Sequence, residues 1–133
     1  MDVMLIDDDD DTVFLMDVLF SKSDAVDKYT IETNAIDALK KLLKKEQFPD
    51  CILVDIRMPE INGFEFVEKY EQKLGKLHPN TQIYILSSSA RQSDEQKAMK
   101  YKSVKEFIVK PLTKKKLTEI NESVLRNKYI RYD

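Results

Sequence analysis

Residues 3–14 read VMLIDDDDDTVF, and in this stretch four apolar residues run directly into five aspartates. Like charges side by side repel one another, so an unpaired run of this kind weakens a fold. The segment Val3–Ile6 is continuously apolar rather than alternating, which is typical of a strand buried on both faces. The stretch therefore predicts a buried strand that delivers concentrated negative charge at its carboxyl end.

The same succession of apolar strand and amphipathic helix repeats along the chain. Further strands are predicted at residues 29–33, 51–54, 83–86 and 107–109. Apolar side chains at helical spacing mark four helices: Leu15, Val18 and Leu19; Ala35, Ala38, Leu39, Leu42 and Leu43; Phe66, Tyr70 and Leu74; and Leu117, Ile120, Val124 and Leu125. Gly63 is expected to open the third helix, and Ser93 with Gln96 predicts a capping box that starts the fourth of five. Five such units predict an α/β fold, a doubly wound parallel sheet with helices on both faces.

In folds of this kind ligands bind beyond the carboxyl ends of the strands, so the residues that follow each strand are informative. Asp7 and Asp8 follow the first strand, and Asp55 follows the third. Ser87 follows the fourth strand and Lys110 the fifth. Three carboxylates, a hydroxyl and an ammonium are therefore predicted to converge on one edge of the sheet.

This set of groups predicts phosphoryl transfer. Carboxylates that share a cleft raise one another's pKa, and a divalent cation relieves the repulsion. An all-oxygen set favours Mg²⁺, which commonly completes its shell with a phosphate. A lysine suits a phosphoryl oxygen, and a carboxylate can itself accept a phosphoryl group.

Two other metal or phosphate motifs are excluded. A helix–loop–helix calcium site that starts at Asp7 needs glycine and glutamate where the chain has Thr12 and Val18. A phosphate-binding P-loop needs a glycine-rich turn, and the chain has only two glycines, Gly63 and Gly75.

Four segments resemble the receiver domain of two-component response regulators, over nearly the full length of the chain. They are MLIDDD at 4–9, ILVDIRMPEING at 52–63, ILSSSA at 85–90 and FIVKPL at 107–112. The resemblance implies the flavodoxin-like strand order 2-1-3-4-5, which is also that of chemotaxis regulators. It implies a single receiver domain over residues 1–133, with no attached output domain.

The resemblance also implies the chemistry of the site. Asp55 would accept a phosphoryl group from a histidine of a sensor histidine kinase or a histidine phosphotransfer protein. Mg²⁺ would be held by Asp7, Asp8 and Asp55, together with the backbone carbonyl of Arg57. The chain would then act as a phosphoacceptor, not as an enzyme in the usual sense, and signal by contact with a downstream protein that the resemblance does not identify.

Further roles follow from the same resemblance. Ser87 and Lys110 would contact the phosphoryl group, and Ser87 and Phe107 would form the switch that reports it. The bond between Lys110 and Pro111 is expected to be cis. In the aspartate run, Asp9 is expected to lie in the loop. Asp10 or Asp11 is expected to cap the first helix.

Composition bounds the class of protein. The chain has 133 residues, 42% of them hydrophobic, which is enough for the core of one domain. Its one cysteine, Cys51, suits a reducing cytoplasm, and we expect neither a membrane span nor a signal peptide.

The charged residues are unevenly distributed along the chain. Residues 1–65 carry 7 basic and 16 acidic groups, whereas residues 96–133 carry 11 basic and 4 acidic groups. We interpret the basic end as solvated helix faces, with a docking face for an acidic partner as the alternative, and expect no nucleic-acid binding.

Two other functions remain open. Residues 8–12 fit the Asp-x-Asp-x-Thr pattern of magnesium-dependent phosphatases of the haloacid dehalogenase type. That reading leaves the Met-Pro pair and the glycine of residues 58–63 unexplained. A pseudo-receiver that binds partners without phosphorylation is the other alternative, and the presence of Asp55 and Lys110 argues against it.

Overall fold

The computed structural model describes residues 1–44 and 48–130. Strands and helices alternate along these ranges: β1 (Asp2–Ile6), α1 (Asp10–Lys22), β2 (Lys28–Glu32), α2 (Ala35–Lys44), β3 (Cys51–Asp55), α3 (Gly63–Lys73), β4 (Gln82–Ser87), α4 (Gln92–Ala98), β5 (Val104–Val109) and α5 (Lys114–Ile130). The strands form one parallel sheet in the order β2-β1-β3-β4-β5. The doubly wound fold and the flavodoxin-like order are thereby confirmed. Within the described ranges every helix is too short or too polar to span a bilayer.

Alternate residues of the central strands supply two hydrophobic cores, one on each face of the sheet. In β1 and β3 even-numbered residues such as Met4 and Ile52 pack with α2, α3 and α4, and odd-numbered ones such as Leu5 and Leu53 pack with α1 and α5; in β4 the numbering is reversed. Because β1 and β3 are buried on both faces, their sequences are continuous apolar runs. Cys51, at the start of β3, is fully buried, and this burial raises the pKa of its thiol.

The buried face of α1 differs from the predicted one. Met16 and Phe20 are buried, whereas Leu15 and Val18 are 60% and 38% exposed and Leu19 is half-buried. The helix carries apolar side chains around most of its circumference, so their spacing does not single out one face. The neighbouring strand decides it, because the ring centroid of Phe20 lies 5.3 Å from that of the tyrosine in β2.

Elsewhere the predicted helices agree with the structure more closely. The predicted faces of α2, α3 and α5 are buried, apart from the exposed Leu43 and Leu125. The capping box predicted at Ser93 and Gln96 is wrong. α4 begins one residue before Ser93, and none of the described side chains caps its N-terminus at Arg91.

Candidate functional site

Three carboxylates meet at the carboxyl edge of the sheet. Asp7 directly follows β1 and Asp55 ends β3, and these two strands are neighbours. Asp8 lies one residue further along the loop. One carboxylate oxygen from each of the three aspartates lies within 4.8 Å of those of the others. Asp7 and Asp55 are buried and Asp8 is exposed, so the cluster has a closed wall and a side open to solvent.

Lys110 brings an ammonium into this cluster from the end of β5. Its backbone N–H donates to the carbonyl oxygen of Ser87 at 2.8 Å, and its bond to Pro111 is cis, as expected. Its Nζ lies 2.8 Å from Oδ2 of Asp7 and 3.1 Å from Oδ1 of Asp55. The ammonium therefore bridges the two buried carboxylates.

The charges in this cleft do not balance. Burial raises the pKa of the Asp55 carboxyl and the Asp7 carboxylate raises it further, against the opposing effects of Lys110 and the Arg57 backbone. Burial also acts to lower the pKa of Lys110, but its contacts with Asp7 and Asp55 outweigh this effect and hold that pKa above its usual range. Three carboxylates and one ammonium leave a net negative charge in a partly buried site.

The donor set fits a hard divalent cation. All three groups offer carboxylate oxygens, which Mg²⁺ prefers as protein ligands. Oδ2 of Asp7 is buried and accepts no well-directed hydrogen bond from the described part of the chain, although the Lys110 ammonium lies 2.8 Å away. This buried oxygen is thus compensated by a positive charge, and a bound divalent cation would supply that charge in place of the ammonium.

The other predicted site residues lie at different distances from the cluster. Ser87 and Arg57 line the same cleft. The Ser87 hydroxyl donates to the carbonyl of Ser89 at 2.7 Å and accepts from its N–H at 3.1 Å, so it is engaged within its own loop. Phe107 is 9% exposed and packs in the core with α2, α3 and α4. The metal-binding role of the Arg57 carbonyl stays a prediction.

The aspartates that follow the cluster have separate roles. Asp9, which was expected in the loop, is the N-cap of α1, and its Oδ2 accepts the backbone N–H of Thr12 at 2.9 Å. The hydrogen bonds from Thr12 lower the pKa of Asp9. The prediction that Asp10 or Asp11 caps the helix is wrong. Both lie in its first turn, where a negative charge favours the helix dipole.

Thr12 is a residue of the cleft that sequence reasoning missed. Its hydroxyl donates to Oδ2 of Asp9 at 2.7 Å and accepts from Nζ of Lys110 at 3.4 Å. The backbone N–H of Asp9 in turn donates to Oδ1 of Asp7 at 2.9 Å. Contacts thus run from Asp7 through Asp9, Thr12 and Lys110 back to Asp7. The sequence could have indicated Thr12, because it lies in the first turn of a helix that starts at the edge of the sheet where the site residues meet.

The loop between β3 and α3 closes against the backbone of Asp55. The N–H of Gly63 donates to the carbonyl of Ile56 at 2.8 Å, and a Cβ on Gly63 would lie 2.5 Å from the Asp55 carbonyl oxygen. Only glycine fits this approach without movement. Within the same loop Glu60 has a φ of 69°, a left-handed conformation that disfavours residues with a Cβ.

Together these elements enclose a polar cleft of about 720 Å³. The side chains that line it are acidic at the β1–α1 loop, and elsewhere they are basic, hydroxyl-bearing or apolar. The residues that line it are Asp8, Asp9, Asp10, Asp11, Thr12, Asp55, Ile56, Arg57, Ser87, Ser88 and Lys110.

Comparison with known proteins gives a consistent result. The family model described as "Response regulator receiver domain" matches residues 3–122. The chemotaxis protein CheY of Thermotoga maritima is 34% identical over 87 residues, which cover 65% of this chain and 67% of that protein. An uncharacterized 14.6 kDa protein of Leptolyngbya boryana is 32% identical over 113 residues, covering 84% and 80%. The crystal structure of a two-component response regulator from Cytophaga hutchinsonii matches with a TM-score of 0.85 and 31% identity, covering 94% and 96% of the two chains.

Proposed function

Because the chain belongs to the response regulator receiver domain family, we propose that Asp55 accepts a phosphoryl group from the phosphohistidine of a sensor histidine kinase or a histidine phosphotransfer protein. Members of this family are signalling phosphoacceptors rather than classical enzymes. The observation that carries the proposal is the position of Asp55. It is a buried carboxylate at the end of a central strand, in one cleft with two further carboxylates and an ammonium.

The transfer requires an acceptor oxygen that is held in line with the donor. A carboxylate oxygen of Asp55 forms a bond to phosphorus while the bond from phosphorus to the donor imidazole nitrogen breaks, and the imidazole leaves with the electron pair. Asp55 pairs with Leu86 of β4, which fixes the backbone that carries this oxygen. Lys110, 3.1 Å from Asp55, is within reach of an oxygen of the transferred group.

The acidic cluster would hold Mg²⁺ through Asp7, Asp8 and Asp55, with the carbonyl of Arg57. A bound cation supplies positive charge that offsets the charge of the phosphoryl oxygens. The cleft by itself carries a net negative charge and would repel such a group. We therefore expect transfer to depend on a divalent metal.

The phosphorylated state would be reported through Ser87 and Phe107. The Ser87 hydroxyl would leave the Ser89 carbonyl for a phosphoryl oxygen, and the state with Phe107 in the core would be favoured. A phosphoryl group shifts such an equilibrium only through its different affinity for the two states. The output surface would be formed by α4, β5 and α5 and would bind a protein target. Its exposed lysines include Lys97, Lys105, Lys114 and Lys115.

Treatment with acetyl phosphate and Mg²⁺, followed by mass spectrometry of the intact protein, tests the proposal. The wild type should gain one phosphoryl group, about 80 Da, that survives acid and is removed by hydroxylamine, as an acyl phosphate is. Asp55→Asn is the matched control, because it keeps the shape but lacks the anionic oxygen. It should fold normally and remain unlabelled.

Four results would contradict the proposal. One is labelling of Asp55→Asn, and another is labelling of the wild type in the absence of divalent metal. The third is rapid turnover of excess acetyl phosphate without a retained adduct, which would favour the phosphatase alternative. A wild type that stays unlabelled with Mg²⁺ present would instead indicate a pseudo-receiver.

A further inference from the structure

Lys110 competes for the oxygens that a cation in the cleft would use. Its Nζ lies 2.8 Å from Oδ2 of Asp7 and 3.1 Å from Oδ1 of Asp55. Two positive groups in contact with one oxygen repel each other strongly in a partly buried site. A cation that binds Oδ2 of Asp7 therefore displaces the ammonium from that oxygen. The cost of this displacement depends on which other acceptors lie within reach of Lys110.

A further acceptor, the Thr12 hydroxyl, lies within reach of the same ammonium. Oγ1 of Thr12 is 3.4 Å from Nζ of Lys110. The hydroxyl hydrogen of Thr12 is engaged with Oδ2 of Asp9 at 2.7 Å, so the lone pairs of its oxygen are free to accept from the ammonium. Oδ2 of Asp9 also accepts the Thr12 backbone N–H at 2.9 Å. The first turn of α1 thus holds a hydroxyl oxygen backed by a carboxylate beside the lysine.

We propose that Thr12, backed by Asp9, is a second seat for the Lys110 ammonium: their 3.4 Å contact shortens and strengthens when a divalent cation occupies Asp7 and Asp55. The inference rests on the magnesium site of the proposed function and adds to it a residue that touches neither metal nor phosphoryl group. Thr12 acts through Lys110 and is a positioning residue. The second seat explains why the acidic run ends in a hydroxyl residue directed at the cleft.

The chain offers variants that isolate the hydroxyl. Thr12→Val keeps the branched shape, and its backbone N–H can still donate to Asp9, so the start of α1 is preserved. Thr12→Ser restores the hydroxyl. Thr118→Val is the matched control, because that threonine lies in α5, and its hydroxyl donates to the carbonyl of Lys114 at 3.1 Å.

The measurement is Mg²⁺ affinity, obtained by following amide chemical shifts at the end of β3 during titration of the full chain. Thr12→Val should bind Mg²⁺ about three- to tenfold more weakly than the wild type, the loss expected for one ordinary intramolecular hydrogen bond. Thr12→Ser and Thr118→Val should bind it as the wild type does. In a Lys110→Met background no ammonium needs a seat, so Thr12→Val should have no effect.

The outcomes separate this inference from the proposed function. Equal affinity of the wild type and Thr12→Val overturns the second seat alone, and so does an equal loss in the Lys110→Met background. A loss in Thr12→Ser as large as that in Thr12→Val also overturns it, because the hydroxyl would then not matter. Absence of Mg²⁺ binding by the wild type overturns both the second seat and the magnesium site.

Discussion

Replacing Gly63 by alanine should displace the loop that closes against the phosphoacceptor. A Cβ at this position would lie 2.5 Å from the Asp55 carbonyl oxygen and 3.0 Å from Cα of Ile56. Ordinary contact begins at 3.4 Å, so the Cβ and the oxygen must separate by roughly 0.9 Å. Both neighbouring atoms belong to the backbone and cannot turn away as a flexible side chain would.

The strand is held too firmly to make this movement. Asp55 pairs with Leu86, and the N–H of Ile56 donates to the Leu86 carbonyl at 3.2 Å. The start of α3 must therefore move outward and break the hydrogen bond from Gly63 to Ile56. Overpacking costs about 1–3 kcal/mol and the lost hydrogen bond about 1 kcal/mol, while a stiffer unfolded chain offsets about 0.4–1 kcal/mol. We expect the free energy of unfolding to fall by about 2–3 kcal/mol.

Urea unfolding followed by far-ultraviolet circular dichroism measures this change. Gly75→Ala is the control, because a Cβ there would approach the carbonyl oxygen of Glu71 at 3.1 Å, which needs a shift of only a few tenths of an ångström. Its stability should differ from that of the wild type by less than about 1 kcal/mol. Gly63→Ala should also take up a phosphoryl group more slowly than Gly75→Ala. If the two variants are equally stable, the close approach to Asp55 does not explain the glycine.

Three further substitutions test separate parts of the site. Asp8→Ala should abolish Mg²⁺ binding in a calorimetric titration, because it removes one of the three carboxylates of the cluster, the one exposed to solvent. Unchanged binding would show that Asp8 is not a ligand. Lys110→Ala should still accept a phosphoryl group. Phosphorylation should then cause smaller changes in amide chemical shift around Ser87 and Phe107, because the ammonium connects β5 to the phosphoryl group. Changes as large as those of the wild type would argue against this coupling. Glu60→Gly should raise the free energy of unfolding by up to about 1 kcal/mol, since glycine adopts a φ of 69° without strain. Glu60→Ala keeps the strain and should not be stabilised, so equal stabilities of these two variants would refute the explanation.

The sheet and its polar edge could be predicted because both follow from local patterns. The apolar runs at 3–6, 51–54 and 83–86 all lie in strands, and Asp7, Asp55 and Lys110 each lie at the end of a strand. Parallel strands bring their carboxyl ends together, so the convergence of these side chains needs no knowledge of long-range contacts. The order of the strands, in contrast, came from the resemblance of the motifs and not from periodicity.

The details of α1 could not be predicted in the same way, because tertiary contacts decide them. Asp9 caps the helix in a loop whose backbone is fixed by its hydrogen bond to Asp7. Phe20 faces inward because β2 offers it an aromatic neighbour. Thr12 contacts Lys110, a residue 98 positions away in the sequence, and no local pattern reports such a pair.

The buried Cys51 thiol allows the opening of the core to be followed by the rate of its chemical modification. A thiol reagent can reach it only when α1 and α5 open away from this face of the sheet, since the Cys51 side chain is fully buried in the core that these helices cover. The rate of labelling under native conditions therefore measures how often this core opens. Asp55 ends the same five-residue strand. A group that stabilises the cleft should slow the reaction at the other end of this strand, so that occupancy of the acceptor could be followed by thiol chemistry without any added label on the site.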